Sequence, residues 1–240
     1  IAFEKHPWLD GCYLVRGTGN LAQLELFSSG KVYVQDPSAR LAAMAAGAEP
    51  GMRVLDCCAA PGGKSFAAAI AMQNEGSVTS CDIHAHKVSL IEKGAARLGV
   101  SIVHARQADA SQFEPEFEAG FDVVIADVPC SGLGVIRKKP DIRYKDLAPM
   151  QKLPQVQAAI LENVSRYVKP GGVLVYSTCT VLKRENENVA NAFLARHPEF
   201  RLEVFALPAG LDAQTDGMLT LYPHLHEADG FFICKLRKNV

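Results

Sequence analysis

Val54-Leu55-Asp56-Cys57-Cys58-Ala59-Ala60-Pro61-Gly62-Gly63-Lys64 is the stretch on which the reading of this 240-residue chain turns. A short apolar run ends on an acid, passes through small residues and Pro-Gly-Gly, and enters Ser65-Phe66-Ala67-Ala68-Ala69-Ile70-Ala71, which reads as helix. Strand, glycine-rich turn and helix let backbone N–H groups approach a bound ligand closely. Two phosphate-binding readings fail on spacing. A P-loop needs Gly five residues before Gly63, where Cys58 stands, and Ala60-Pro61-Gly62-Gly63 does not supply G-x-G-x-x-G. Two readings stay open from these residues alone: a tight strand-to-helix connection with no ligand, and a turn that holds the amino-acid end of a methyl donor.

Working outward, short β-branched runs alternate with helical periodicity from Met52 onward. Strands are predicted over 53–56, 77–81, 102–106, 123–126, 173–176 and 231–235, and helices over 64–73, 85–98, 153–168 and 185–196. In the third helix Val156, Ile160, Leu161 and Val164 are expected on one buried face, with Lys169-Pro170-Gly171-Gly172 ending it. This alternation predicts an α/β fold with a doubly wound, mostly parallel sheet, and ligands at the carboxyl ends of its strands. Those ends carry acids: Asp56, Asp82, Asp109 and Asp127. An acid after the second strand suits ribose hydroxyls, and one after the third suits an adenine amine. With no phosphate to hold, an acid-rich rim fits the cationic sulfonium and amino groups of S-adenosylmethionine, and the chain reads as a Rossmann-like methyltransferase domain over 37–240.

Residues 1–36 form a small mixed annex with expected strands over 12–16 and 31–35 and a helical turn over 21–26. Gly17-Thr18-Gly19-Asn20-Leu21-Ala22 matches G-x-G-x-x-A, yet no long periodic helix follows, so it reads as a loop. Asp36-Pro37-Ser38 should cap a helix over 39–46. A formal charge of −1 argues against a uniformly basic nucleic-acid binder but leaves room for local patches. Seven cysteines with no C-x-x-C pair predict reduced thiols in a cytoplasmic protein, and His84-x-His86 beside Cys81 is poorly spaced for zinc, so no metal is expected. No apolar run of membrane-spanning length and no signal sequence is present, so no membrane partner is expected.

Asp127-Val128-Pro129-Cys130-Ser131-Gly132 follows the fourth strand and Ser177-Thr178-Cys179-Thr180 the fifth, so both thiols should face one pocket. A lone cysteine at a strand end is more often a small buried apolar residue. Two of them suit a reaction at carbon 5 of cytosine, a poor nucleophile until a thiolate adds at carbon 6. These motifs, with Cys58 to Lys64, resemble the RNA cytosine-5 methyltransferases, the family that includes the Nop2/Sun proteins. Within it they are most similar to the bacterial 16S ribosomal RNA enzymes of the Fmu/Sun (RsmB) type. Supporting matches are Tyr33-Val34-Gln35-Asp36, Arg137-x-x-Pro140-Asp141, Glu185-Asn186-Glu187 and Asp229-Gly230-Phe231-Phe232. Pro37 after Asp36, and Ser65 where Thr is usual, depart from the pattern.

The resemblance implies methyl transfer from S-adenosylmethionine to carbon 5 of a cytosine in RNA, 16S ribosomal RNA first and transfer RNA as an alternative. It assigns Cys179 as the nucleophile and Cys130 to product release. Cys58, Ala59, Ala60, Pro61, Gly62, Gly63 and Lys64 would hold the methionine part of the cofactor, Asp82 the ribose and Asp109 the adenine side. Asp127 would sit between cofactor and base. It also implies an N-terminal helical RNA-binding domain similar to NusB, absent from this chain. The residues by themselves do not rank the two thiols: DNA cytosine-5 methyltransferases place the nucleophile in the Pro-Cys pair, which here is Cys130. A catalytically idle RNA-binding factor and a small-molecule methyltransferase are the remaining alternatives. RNA contact is expected from Lys64, Arg137, Lys138, Lys139, Arg143, Lys145, Lys183 and Arg184, against the plainer reading of a solvated basic loop, with Tyr144 or Tyr222 as stacking partners.

Overall fold

In the computed structural model, which describes residues Ile1–Val240, two short strands open the chain. Ala2–Lys5 (β1) and Tyr13–Arg16 (β2) pair antiparallel, apart from the main sheet, and Trp8 and Leu9 between them are buried in the main core. Gly17 to Gly19 is loop, as expected, and a short turn of helix, Glu25–Ser28 (α1), follows. The strand expected over 31–35 does not form. Its carbonyls find another donor: Arg97 bonds the carbonyl oxygens of Phe27 at 2.6 Å and Val32 at 3.0 Å, with its guanidinium 4.0 Å from the Phe27 ring. A side chain thus satisfies what a ladder partner would otherwise take. Gly30, at φ +77°, makes the approach possible, since a Cβ there would lie 1.8 Å from the Arg97 carbonyl oxygen. Asp36 then accepts from the Ser38 N–H and caps Pro37–Ala46 (α2), as the Asp-Pro-Ser order predicts.

From there the chain runs Arg53–Asp56 (β3), Gly63–Ala71 (α3), Ser77–Asp82 (β4), Ala85–Leu98 (α4), Val103–Gln107 (β5), Phe121–Asp127 (β6), Leu153–Ser165 (α5) and Val168–Thr178 (β7). Glu187–Arg196 (α6), Phe200–Leu202 (β8), Met218–Leu221 (β9), Pro223–His226 (α7) and Phe231–Lys238 (β10) complete it. The sheet order is β5-β4-β3-β6-β7-β10-β8, with β9 also on β10. Strands β3 to β7 are parallel and β10 antiparallel to β7, which makes the expected doubly wound, mostly parallel sheet. The order reverses between β3 and β6, and a crevice at that switch point is where such sheets take ligands.

Successive residues of each strand feed opposite layers, as the period of two requires. Val54, Val123, Ile125, Val173, Val175 and Ile233 meet Leu41 of α2, Phe66 of α3 and Ile91 of α4 on one face. Leu55, Val124, Leu174, Tyr176 and Phe232 meet Ile160 and Leu161 of α5 and Val189 and Phe193 of α6 on the other. Two details of α5 differ from expectation. Val156 is exposed, because Gln157 turns inward with Ile160, Leu161 and Val164. Lys169-Pro170-Gly171-Gly172 does not stop the helix, which ends at Ser165. It forms an irregularity inside β7, where pairing passes from Phe121↔Val168 to Val123↔Val173.

Candidate active site

The glycine-rich turn is stitched to both neighbouring strands. Cys57 N–H donates to the Ile125 carbonyl of β6, Ala59 N–H to the Cys81 carbonyl of β4, and Gly62 N–H closes on Ala59. Gly62 has φ +111°, and a Cβ there would come within 2.3 Å of the Phe66 ring, so only glycine lets the chain turn into α3. No side chain caps the first N–H groups of α3, and Gln35 packs beside Gly63. Beneath the turn Asp56 is fully buried, its Oδ2 accepting from Ser65 at 2.8 Å while Oδ1 has no partner. Burial pushes its pKa up to about 6 against the opposing Ser65 bond.

Asp82 and Asp109 stand at and just beyond the neighbouring strand ends. Each spends Oδ1 locally, Asp82 on the His84 N–H at 3.0 Å, and Asp109 on the Ser111 N–H at 2.9 Å and hydroxyl at 2.7 Å. The local bonds fix the loops and leave Oδ2 of each carboxylate for a ligand. A rim of carboxylates beside free helix N–H groups fits an amino-acid and ribosyl ligand of positive charge, the donor and acceptor set S-adenosylmethionine requires.

Adjacent strands β6 and β7 deliver the reactive groups. Asp127 ends β6; its Oδ1 accepts from Ser177 Oγ at 2.8 Å and its Oδ2 from Lys64 Nζ at 2.5 Å. Lys64 is buried, with its ammonium 5.2 Å from the centre of the Phe231 ring. Burial alone would depress the Lys64 pKa, but Asp127, Asp56 and Cys179 outweigh it and hold the ammonium above its ordinary range. The Cys130 and Cys179 sulfurs lie 3.3 Å apart. The hydrogen bond from Cys130 is the largest influence on Cys179 and lowers its pKa; Lys64 adds to it, against burial and Asp127. Cys130 is pushed the other way, first by that bond and then by burial. Either sulfur can donate across this contact, and the arrangement in which Cys130 does so leaves Cys179 as the thiolate.

The basic residues divide into two groups. Arg137, Lys139, Arg143, Lys183 and Arg184 are exposed and make no ion pair. Three others have partners within the chain. Lys138 is committed to Asp36 at 2.5 Å and Asp229 at 2.9 Å, clamping the loop after Cys130 to the annex and to the entry of β10. Lys145 donates to the Ser131 carbonyl at 2.9 Å. Lys64 points at Asp127 from a buried position, away from the exposed surface where a backbone phosphate would lie. Tyr144 is exposed beneath Arg143, and Tyr222 caps α7. Phe231, under Lys64, is the aromatic ring that borders the site, and only its place in an Asp-Gly-Phe-Phe match marked it beforehand.

Sequence patterning assigns no role to Gln157, Glu185 or Asn186, all fully buried behind the thiol loops. Glu185 and Asn186 are marked beforehand only by the Glu185-Asn186-Glu187 family match, and Gln157 falls outside any apolar pattern. No group of three His, Cys, Asp or Glu side chains is arranged to hold a metal ion, and no helix is long and apolar enough to cross a membrane. A cavity of about 320 Å³ opens at the opposite end of the sheet; Lys169 there is paired with Asp122, and Lys235 and Arg237 with Glu203, while Glu49 makes no ion pair.

The chain is 44% identical over 237 residues to the probable ribosomal RNA small subunit methyltransferase B of Bacillus subtilis (strain 168), covering 96% of this chain and 52% of that protein. The chain therefore spans about half the length of the curated relatives it matches. Among solved structures, PH0851 superposes with a TM-score of 0.92 at 32% identity, over 99% of this chain and 54% of that one. NSun6 from Pyrococcus horikoshii with SFG superposes with a TM-score of 0.78 at 31% identity, over 91% and 56%. The family described as 16S rRNA methyltransferase RsmB/F matches residues 43–237, and the chain belongs to that family.

Proposed function

We propose that the chain carries the catalytic part of an S-adenosylmethionine-dependent RNA cytosine-5 methyltransferase acting on 16S ribosomal RNA in the cytoplasm. One observation carries the reading: two thiols of opposite pKa shift, 3.3 Å apart, at the ends of adjacent strands beside the Asp127–Lys64 pair and the glycine-rich turn. Relatives named as small-subunit ribosomal RNA methyltransferases support the substrate, and a neighbour solved with SFG supports the cofactor. When bound, S-adenosylmethionine supplies an electrophilic methyl group. The turn from Cys58 to Lys64, Asp82 and Asp109 would hold and orient it.

The Cys179 thiolate adds to carbon 6, and the electron pair of the 5,6 double bond moves to carbon 5, which takes the methyl group. Asp127 and Lys64 face the cytosine edge, one accepting and the other donating. Once Cys179 is a thioether its charge is gone, and with it the largest influence holding Cys130 protonated. Cys130 gives its proton to solvent and takes the carbon 5 proton. The C–H pair re-forms the double bond, and the carbon 6–sulfur bond breaks with its electrons returning to Cys179. Arg137, Lys139, Arg143, Lys183 and Arg184 would meet RNA phosphates. Incubation with tritiated S-adenosylmethionine and separated ribosomal and transfer RNAs, followed by mapping of the labelled base, tests the reading. Label at carbon 5 of a 16S cytosine is expected; label on transfer RNA alone, or on another atom, refutes it.

A further inference from the structure

Behind the two thiols lies a buried polar frame built from groups that touch neither sulfur. Ser131, Gln157, Thr178, Thr180, Glu185 and Asn186 are each fully inaccessible. Glu185 Oε2 accepts from the Ser131 N–H at 2.9 Å and from Gln157 Nε2 at 3.0 Å; Gln157 Nε2 also donates to the Pro129 carbonyl at 3.0 Å. The peptide groups on both sides of Cys130 are therefore pinned. Asn186 holds the two residues that flank Cys179: its Oδ1 accepts from Thr178 Oγ1 at 2.6 Å and its Nδ2 donates to the Thr180 carbonyl at 3.0 Å. The Ser131 hydroxyl donates to Thr180 Oγ1 at 2.8 Å and ties the two loops together. Two consecutive residues thus each clamp one thiol loop, and Tyr176 OH on the Glu185 carbonyl, at 2.5 Å, fixes the pair to β7.

The arrangement carries a cost. Glu185 Oε1 is buried with no partner, as is Gln157 Oε1. An unpaired buried acceptor is unfavourable; apolar side chains of similar size would remove both of these but would leave the buried Ser131 N–H and the Pro129 carbonyl without their partners. What Glu185 and Gln157 supply that an apolar pair could not is directional hold on the peptides flanking Cys130. We propose that Glu185, with Gln157, and Asn186 are positioning residues with divided duties. Glu185 and Gln157 aim Cys130 for removal of the carbon 5 proton, and Asn186 aims Cys179 for addition to carbon 6. The proposal rests on the assignment of the two thiols made above. In the release step the carbon 5–hydrogen bond gives its pair to the 5,6 double bond, the carbon 6–sulfur pair returns to Cys179, and the proton passes to Cys130. That last transfer needs Cys130 within hydrogen-bond reach of carbon 5.

The test reads covalent protein–RNA adduct on denaturing gels, with in vitro transcribed, unmodified 16S ribosomal RNA and S-adenosylmethionine. A second transcript carries 5-fluorocytidine, whose carbon 5 holds no proton to remove, so addition and methyl transfer leave a permanent adduct. Glu185→Ala and Gln157→Leu should form adduct on the fluorinated RNA at the parent rate and accumulate it on ordinary RNA, with release slowed by about 10²-fold, the scale of a misplaced reacting group. Glu185→Gln keeps an acceptor oxygen and should restore most of the release rate. Asn186→Ala should form adduct slowly on both RNAs. Gln157→Leu reaches the same loop from α5 and decides the matter if Glu185→Ala fails to fold. Adduct from Cys130→Ala but none from folded Glu185→Ala or Gln157→Leu on ordinary RNA would overturn the division of duties while leaving the thiol assignment intact. No adduct from Cys130→Ala on ordinary RNA, and none from the parent chain on fluorinated RNA, would remove both.

Discussion

Lys64→Met deletes the buried ammonium while keeping a side chain of similar length against Phe231. Lys64 and Asp127 side chains are 10% and 26% exposed and meet at 2.5 Å. Breaking a buried pair from one side costs about 3–5 kcal/mol; Asp127 keeps a quarter of its surface in water and its bond from Ser177, so about 2–3 kcal/mol is expected. For a domain of this size that corresponds to a Tm lower by about 4–12 °C. The pKa of Lys64 is raised on folding, so its contribution is complete below the unfolded value of 10.5 and is lost only as pH rises through the folded one. The titration of Lys64 itself therefore adds no pH dependence to the stability difference between about pH 6 and pH 9; what dependence there is comes from Asp56 and Cys179, whose protons Lys64 helps remove. Activity should depend on pH more directly. Lys64 helps hold the Cys179 thiolate down, so the variant's pH–rate inflection for single-turnover methyl transfer should move to higher pH. Lys64→Met/Asp127→Asn, which leaves neither charge, should recover part of the lost Tm. An unchanged Tm together with an unchanged inflection would refute the reasoning and make Lys64 a bystander.

Asp82→Asn keeps an acceptor for the His84 N–H and loses the charge; calorimetry with S-adenosylmethionine should show binding weaker by about 1.5–3 kcal/mol with little change in Tm. Neutralising Arg137 and Lys139 together should flatten the salt dependence of RNA binding by about 0.7–0.9 log units for each phosphate no longer neutralised, whereas Lys138→Ala should lower Tm and leave the slope unchanged. Asp56 binds its proton more tightly when folded, so its own contribution to stability should fall as pH rises from 3.8 to about 6, against the rise supplied by carboxylates such as Glu203 that ion pairs hold low. Denaturant titrations of Asp56→Asn should show that decline gone, a difference of about 3 kcal/mol from the pKa shift.

What the sequence made legible follows from locality. Strands β3 to β7 are short apolar runs whose period and spacing suffice, and the acids at their ends sit where chain order alone puts them. Cys130 and Cys179 meet because β6 and β7 are neighbours, which a doubly wound topology implies. The misses are tertiary. Residues 31–35 have strand composition, but Arg97 from α4 takes the Val32 carbonyl and no ladder forms. Lys138 looked like a free cation because its partners, Asp36 and Asp229, lie far along the chain on either side. Glu185 and Asn186 stood out only through the Glu-Asn-Glu family match, because no local pattern shows their buried partners, the Ser131 N–H beside Cys130 and the Thr180 carbonyl beyond Cys179. Gln157 displaced Val156 from the buried face of α5 for the same reason.

The order of the two thiols is tested most directly by trapping. Cys130→Ala and Cys179→Ala are each incubated with 16S ribosomal RNA and S-adenosylmethionine and run on a denaturing gel with labelled RNA. Cys130→Ala should hold methylated RNA as a retarded covalent band, because addition proceeds and release stalls. Cys179→Ala should give no band and no methyl transfer. A band from Cys179→Ala with none from Cys130→Ala would contradict the assignment and place the nucleophile at Cys130.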